Sequence, residues 1–273
     1  MHLSELLSFL EQIGRRPNRG LSQNFLIDEN VALKIVRTAA VVPGDAVLEI
    51  GPGPGALTSP LLAAGAKVMA VEKDPVFARE LGRLQTPDER LFSFHADFLE
   101  FPLSGLPLHP PLKVVANLPY HITTPILEKL LEHRELFSTF TIMVQSELAD
   151  RMSASAGSKD FSSLSLFLQF HTSIIASFKV AASCFYPKPK VDSKVVQLAL
   201  RPPPLKESAP FFALIRRGFQ QRRKMLRVSL QSFYPVKFLE EALLASGAKG
   251  DARPDALSLD QWLAFYHALT DQK

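Results

Sequence analysis

Short apolar runs alternate with longer amphipathic segments through the middle of this chain. Ala46 to Ile50, Lys67 to Val71, Leu91 to Phe94, Leu112 to Ala116 and Thr139 to Val144 are largely apolar on both faces. Segments at helical spacing, Pro75 to Leu84 and Thr124 to Glu132 among them, separate these runs. A strand that is apolar on both faces needs cover on both, so the alternation predicts a parallel sheet with helices on each side. Upstream, a helix is predicted from Asp28 to Ala40, with Asp28 as its N-cap and Pro43-Gly44 as its stop. After Val144 the rhythm changes, and Ser165 to Val180 and Lys194 to Leu200 read as late strands. Arg201-Pro202-Pro203-Pro204 is stiff and non-helical, which marks a domain boundary. Beyond it Phe211 to Phe233, Val236 to Ser246 and Ser258 to Leu269 all read as helical. The expectation is an α/β domain over residues 1–200, including an N-terminal arm, and a small all-helical domain over residues 201–273.

Composition supports a chain that buries a full core: 273 residues, 47% hydrophobic and 21% charged. No apolar run reaches the roughly 18 residues of a membrane helix, so no membrane partner is expected. Met1 to Ile13 has helical spacing but carries Glu5 and Glu11 and has no basic start, so it does not read as a signal peptide. A single cysteine, Cys184, excludes an internal disulfide and a Cys/His metal cluster; with it, a reducing compartment, the cytosol, is expected. No metal site is predicted. Net charge is only +4, but from Arg201 onward 12 lysines and arginines face 7 acids, while residues 1–200 come close to neutrality. That asymmetry suits one region that handles a small molecule and another that meets an anionic polymer.

The first chemical constellation is Gly51-Pro52-Gly53-Pro54-Gly55, set between a predicted strand and a helix starting near Ala56. Glycines there let the chain turn sharply and let a ligand approach the backbone. The pattern alone is shared by nicotinamide, flavin and S-adenosylmethionine sites and by structural turns. Glu72, at the end of the next strand and 21 residues after Gly51, is placed to accept from ribose hydroxyls. Pro52 and Pro54 have no N–H, which makes the loop a poor cradle for pyrophosphate. S-adenosylmethionine carries no phosphate and has a sulfonium cation, which suits a site walled by Glu72 and Asp97. Asp97 ends the third run, where it can accept the adenine amine of such a cofactor; by itself it reads equally as a turn or helix cap.

Asn117-Leu118-Pro119-Tyr120 ends the fourth run at the same sheet edge. An amide oxygen and the Leu118 carbonyl can accept hydrogen bonds from the exocyclic amine of adenine, and Tyr120 can stack on the base. Such acceptance favours a pyramidal nitrogen whose lone pair is free to attack a methyl group. The same four residues also read as a strand-terminating turn with a core tyrosine.

Five ordered motifs carry a family resemblance. They are Leu21-Ser22-Gln23-Asn24-Phe25-Leu26, Glu49-Ile50-Gly51-Pro52-Gly53, Asn117-Leu118-Pro119-Tyr120, Phe185 to Ser193, and Phe219-Gln220-Gln221-Arg222-Arg223-Lys224. Together they resemble the rRNA adenine N6-dimethyltransferases, of the KsgA type that acts on small-subunit rRNA. The resemblance implies a Rossmann-like seven-stranded methyltransferase sheet and a small helical C-terminal domain. It implies S-adenosylmethionine as cofactor and, as reaction, dimethylation of two adjacent adenines in the 3′-terminal hairpin of 16S rRNA in the immature small ribosomal subunit. By position it assigns the cofactor to Asn24, Leu26, Gly51, Glu72, Asp97 and Asn117, and the target base to Asn117, Leu118, Pro119 and Tyr120. Phe185 resembles the aromatic on the far side of the flipped base, which implies a Tyr120/Phe185 sandwich. Ser22, His121 and Lys188 depart from the family pattern at positions outside these contacts, and His121 is given no role.

The segment Phe211 to Leu230 can be read independently. At about 100° per residue, Arg216, Arg217, Arg223, Lys224 and Arg227 fall on one arc, and Phe212, Leu214, Ile215, Phe219, Met225, Leu226 and Leu230 fill most of the opposite side. One amphipathic helix with a basic stripe that contacts RNA phosphates is expected; a solubilising surface is the alternative. Arg222 points into the apolar arc, so a partner across the domain boundary is expected. Arg15, Arg16 and Arg19 form a smaller basic cluster in the N-terminal arm. Two other functions share these features: an Erm-type methyltransferase of 23S rRNA, and a non-catalytic assembly factor. The Phe219 to Lys224 motif favours the KsgA type, and an intact set of cofactor residues disfavours the assembly factor. A monomer is expected.

Overall fold

Five of the predicted strands form where both faces of the run are apolar. Numbered from the two-residue β1 (Phe25–Leu26), they are β2 (Ala46–Ile50), β3 (Lys67–Glu72), β4 (Leu91–His95), β5 (Leu112–Asn117) and β6 (Phe137–Gln145). With β7 (Thr172–Val180) and β9 (Ser193–Leu200) they make a seven-stranded sheet of order β4-β3-β2-β5-β6-β9-β7, while β1 pairs separately with β8 (Phe185–Tyr186). Strands β2 to β6 run parallel and β9 is antiparallel to β6, from Thr139 opposite Ala199 to Gln145 opposite Ser193. Val47, Leu48, Val68, Met69, Val114, Val115 and Ile142 are fully buried. Each contributes about 1.5–3 kcal/mol by leaving water, which is why these runs tolerate almost no polar residue.

The computed structural model describes residues 1–18 and 23–271, which divide into two compact units. The first comprises Met1–Ala149 and Ile174–Leu200, and the second Asp150–Ser173 and Arg201–Lys273. In the first unit lie α1 (Leu3–Gln12), α2 (Glu29–Thr38), α3 (Thr58–Ala63), α4 (Pro75–Glu80) and α5 (Thr123–Glu132). Asp28 caps α2 by accepting from the Val31 amide at 3.1 Å. Helix α6 (Ser146–Ser153) follows β6 and runs into the second unit, which holds α7 (Ser163–His171), α8 (Ala209–Gln220), α9 (Leu226–Leu230), α10 (Val236–Ala245) and α11 (Leu259–Thr270).

Three expectations are corrected here. Ser165 to Val180 is not one strand: Ser163–His171 is helical and only Thr172–Val180 is extended. Ser162 begins that helix with a capping box whose N3 partner is Ser165, and Phe161, Leu166 and Phe170 are buried with Phe211 and Trp262 in the second unit's core. The units therefore do not divide at residue 200 alone, because Asp150–Ser173 packs with the helical part. Finally, Phe211 to Phe233 is not one helix. Helix α8 ends at Gln220, and the backbone turns so that the Leu226 amide donates to the Ala252 carbonyl at 2.8 Å and Leu226 and Leu230 become fully buried. Close approach at Gly218 permits this packing, since a Cβ there would lie 2.8 Å from both Leu226 and the Trp262 ring.

Candidate functional site

The turns that follow β2, β3, β4 and β5 line one cleft of about 340 Å³ in the first unit. Its position at the carboxyl ends of parallel strands is where α/β sheets hold ligands. Asn24, Leu26, Gly51, Glu72, Asp97 and Asn117 all line it, as does Pro119. Leu21, Ser22 and Arg19 lie outside the described residues.

The glycine loop leaves β2 through left-handed backbone at Gly51 (φ +67°) and Gly53 (φ +54°), a region that side-chain-bearing residues enter at a cost. All three glycine amides are already committed. Gly51 donates to the Val71 carbonyl at 2.9 Å, Gly53 to Glu72 Oε2 at 2.8 Å and Gly55 to the Pro52 carbonyl at 2.9 Å. With prolines at the remaining two positions, no amide from Gly51 to Gly55 is left for a phosphate. Glu72 also accepts from the Asp74 amide at 2.8 Å. Burial raises its pKa above the ordinary carboxylate value, against the pull of these amide bonds.

Glu49, which sequence reasoning placed in a motif without a task, forms the floor beside it. It is buried and accepts from Thr58 Oγ1 at 2.7 Å. Burial, with a smaller push from Glu72, raises its pKa from the ordinary 4.5 to about 8, so at neutral pH it carries a proton. On the other wall, Lys73 Nζ lies 2.7 Å from Asp97 Oδ2, and Asp97 Oδ1 accepts from the Leu99 amide at 2.9 Å. The Lys73 ammonium holds the Asp97 carboxyl below its usual range. Lys73 had no assigned task; its place directly after Glu72 at a strand end was the available signal. The loop after Asp97 is pinned by Lys129 Nζ, which donates to the carbonyls of Phe98, Leu99 and Phe101 at 2.6–2.9 Å.

The turn after β5 is rigid. The Leu118 amide donates to the Met143 carbonyl at 3.1 Å, and the Pro119 carbonyl accepts from Thr123 Oγ1 at 3.1 Å and the Ile122 amide at 3.2 Å. Asn117 Nδ2 donates to the Asn24 carbonyl at 3.2 Å. That bond fixes the amide's orientation and leaves Asn117 Oδ1 solvent-inaccessible with no hydrogen-bond partner. A buried acceptor left unpaired costs about 1–3 kcal/mol, so it marks a place where a donor is missing.

The expected aromatic sandwich is not assembled. Tyr120 turns its hydroxyl to Ser193 Oγ at 2.7 Å, and burial raises its phenol pKa. Phe185 is 2% exposed and packs among Leu26, Val180 and Val195. The cause is the β1–β8 ladder, which sets Leu26 opposite Phe185 and draws the ring into the core. Neither Tyr120 nor Phe185 lines the cleft, and nor does Leu118, which is buried.

In the second unit Arg216, Arg223 and Lys224 are exposed, but the single stripe is broken by the turn between α8 and α9. Arg217 lies over the Phe233 ring, 4.1 Å from its centroid. Arg227 is taken out of the expected set by an ion pair with Glu240 of α10. Arg222 is paired within the second unit, with a partner on each side of residue 200: Nε lies 3.2 Å from Asp255 Oδ2, and Nη2 donates to the Lys159 carbonyl at 2.6 Å. Arg15 of the N-terminal cluster pairs with Asp74 at 3.3 Å. Among the described residues, no helix is long and apolar enough to cross a membrane and no cluster of His, Cys, Asp and Glu is arranged to hold a metal.

Comparison with known proteins agrees with this geometry. The family model for ribosomal RNA adenine dimethylase matches residues 14–271. The ribosomal RNA small subunit methyltransferase A of Protochlamydia amoebophila is 50% identical over 272 residues, covering 97% of this chain and 96% of the relative. That of Chlamydia muridarum is 43% identical, covering 98% of each. Among solved structures, a dimethyladenosine transferase from Plasmodium falciparum superposes with a TM-score of 0.74 at 25% identity, over 88% of this chain and 95% of that one. The 23S rRNA methyltransferase ErmE superposes with a TM-score of 0.70 at 29% identity, over 90% and 99%. A seven-stranded, mostly parallel sheet with the Asn117 turn at its ligand edge, together with a match over nearly the whole length, leads to one conclusion: the chain belongs to the ribosomal RNA adenine dimethylase family.

Proposed function

We propose that this protein dimethylates the N6 amines of two adjacent adenines in the 3′-terminal hairpin of 16S rRNA, within the immature small ribosomal subunit. The cofactor is S-adenosylmethionine, which supplies an electrophilic methyl group on a sulfonium. Glu72 and Asp97 suit a cationic nucleoside, and the committed amides of Gly51, Gly53 and Gly55 disfavour a pyrophosphate. Asn24, Leu26, Gly51, Glu72, Asp97 and Asn117 would hold the cofactor.

The observation that carries the reading is the buried, unpaired Oδ1 of Asn117, a residue that lines this cleft. An adenine amine is a donor of the right kind for it once it is uncovered, and the bond to Asn24 fixes which end of the amide is the acceptor. By holding the amine in one orientation the turn supplies positioning, an effect that can be worth up to about 7–11 kcal/mol. Pro119 and Tyr120 lie on the same turn and flank the target base, with Tyr120 swinging from Ser193 to stack. Arg216, Arg217, Arg223 and Lys224 contact the RNA backbone. The protein works as a cytoplasmic monomer.

Likeness to ErmE supports a second reading, in which the substrate is a 23S adenine. The two are separated by incubating the purified chain and cofactor with immature small-subunit particles and, in parallel, with 23S rRNA, then locating modified nucleosides by mass spectrometry. Dimethyladenosine in 16S rRNA is the expected product. Modification of 23S rRNA alone would select the second reading.

A further inference from the structure

Phe233 is 50% exposed on the turn between α9 and α10. A lone exposed phenylalanine is ordinary in itself. What sets this one apart is its support. The Leu230 carbonyl accepts from the Phe233 amide at 2.9 Å and from the Tyr234 amide at 3.2 Å, which fixes the turn. The Arg217 guanidinium lies over the ring at 4.1 Å from its centroid and covers part of its surface with a flat cation. The segment that supplies Arg217 is cationic: no ion pair within the described residues engages Arg216, Arg223 or Lys224, all exposed. Met225, on the same segment, adds a polarizable and partly exposed side chain.

We infer that Phe233, backed by Arg217, is a stacking platform for an unpaired base of RNA. A held aromatic ring offers a π-face to any base, and the Arg217 cation against it, with the exposed cations elsewhere in the same unit, offsets the phosphates of the strand. An anionic protein surface would use the cations but not a flat exposed ring, and an aliphatic ligand would use neither the ring's shape nor the charge. The inference rests on the reading of the second unit as RNA-binding and adds a base contact to its phosphate contacts. Both residues belong to the second unit, whereas the cleft is lined by residues of the first.

The test measures equilibrium binding of the full chain to a fluorescein-labelled oligoadenylate of about twelve nucleotides, and to an abasic strand of the same length, over a series of salt concentrations. The wild type should favour the base-bearing strand. Phe233→Ala should lose about five- to a hundredfold on that strand, with little change on the abasic one and an unchanged salt slope. Phe233→Trp should keep the preference, and Phe233→Leu, which retains apolar bulk without a π-face, should lose it. Equal binding of both strands by the wild type overturns the inference, as does a preference retained by Phe233→Leu. Because methyl transfer is not read, a chain that methylates 16S rRNA but shows no such preference would contradict this inference alone.

Discussion

Asn117 Nδ2 donates to the main-chain carbonyl of Asn24, 93 residues earlier, at 3.2 Å. One hydrogen bond thus ties the segment before β1 to the last residue of β5 and sets the orientation of the amide. The partner is a carbonyl, so the amide's NH₂ must point toward Asn24 and its oxygen away. Several consequences of this arrangement and its surroundings can be measured.

Lys73 occupies the carboxylate that the cofactor's adenine amine is expected to use. The pair is largely exposed on the lysine side, so its strength is modest. Lys73→Met should free Asp97 and remove a cation from the wall of a site for a cation, which raises S-adenosylmethionine affinity about two- to fivefold. Titration calorimetry gives the comparison; weaker binding by Lys73→Met would make the lysine a ligand and not a competitor.

Glu49 makes stability depend on pH in an unusual direction. Its pKa is raised in the folded chain to about 8 from an ordinary 4.5, so between these values the folded state holds a proton that the unfolded state has released. The stability contribution is full below pH 4.5, falls as pH rises through the window with a slope of up to about 1.4 kcal/mol per unit, and levels off above pH 8. Glu72, also raised by burial, adds to the same trend. Glu49→Gln keeps an acceptor for Thr58 and removes the titration. Unfolding midpoints from pH 5 to 9 should therefore show wild type losing ground to Glu49→Gln as pH rises; parallel curves would refute the assignment.

Adjacent arginines should separate into two phenotypes. Arg222 ties Asp255 and the Lys159 carbonyl together, so Arg222→Ala should cost about 1 kcal/mol of stability, a modest figure because the side chain is partly exposed. Arg223 is exposed, and Arg223→Ala should leave thermal unfolding unchanged while lowering the salt slope of RNA binding by about one. Equal effects of the two on unfolding would contradict this division.

Phe185 behaves as core in this structure. Phe185→Ala should destabilise the chain by about 3–5 kcal/mol, and Phe185→Leu by much less. A Phe185→Leu chain that is stable yet loses methyl transfer would show instead that the ring leaves the core to stack on the target base.

Much of the sheet and the cleft was legible because both depend on local pattern. The strands from β2 to β6 announce themselves as runs apolar on both faces, and Gly51, Glu72, Asp97 and Asn117 stand at their ends. Where apolar residues are broken only by single polar ones, as in Leu164, Leu166, Phe167, Leu168 and Phe170 around Ser165 and Gln169, the spacing suits a strand as well as a buried helix. The helical period likewise continues across Gln221 to Met225, and only packing of Leu226 against the second unit's core breaks α8 from α9. Residues whose state depends on distant partners were least legible. Phe185 is buried by pairing with β1, Arg227 is claimed by Glu240, and Lys73 reaches Asp97 across 24 positions.

The most direct test concerns the unpaired oxygen of Asn117. Wild type and Asn117→Ala should be compared at saturating S-adenosylmethionine on immature small-subunit particles, with N6-methylated adenosine counted by mass spectrometry and cofactor affinity measured in parallel. Loss of a positioned, charge-orienting contact predicts a fall in transfer of about 100- to 1000-fold, with cofactor binding retained at reduced affinity. Unchanged turnover by Asn117→Ala would remove this residue from the reaction and contradict the account.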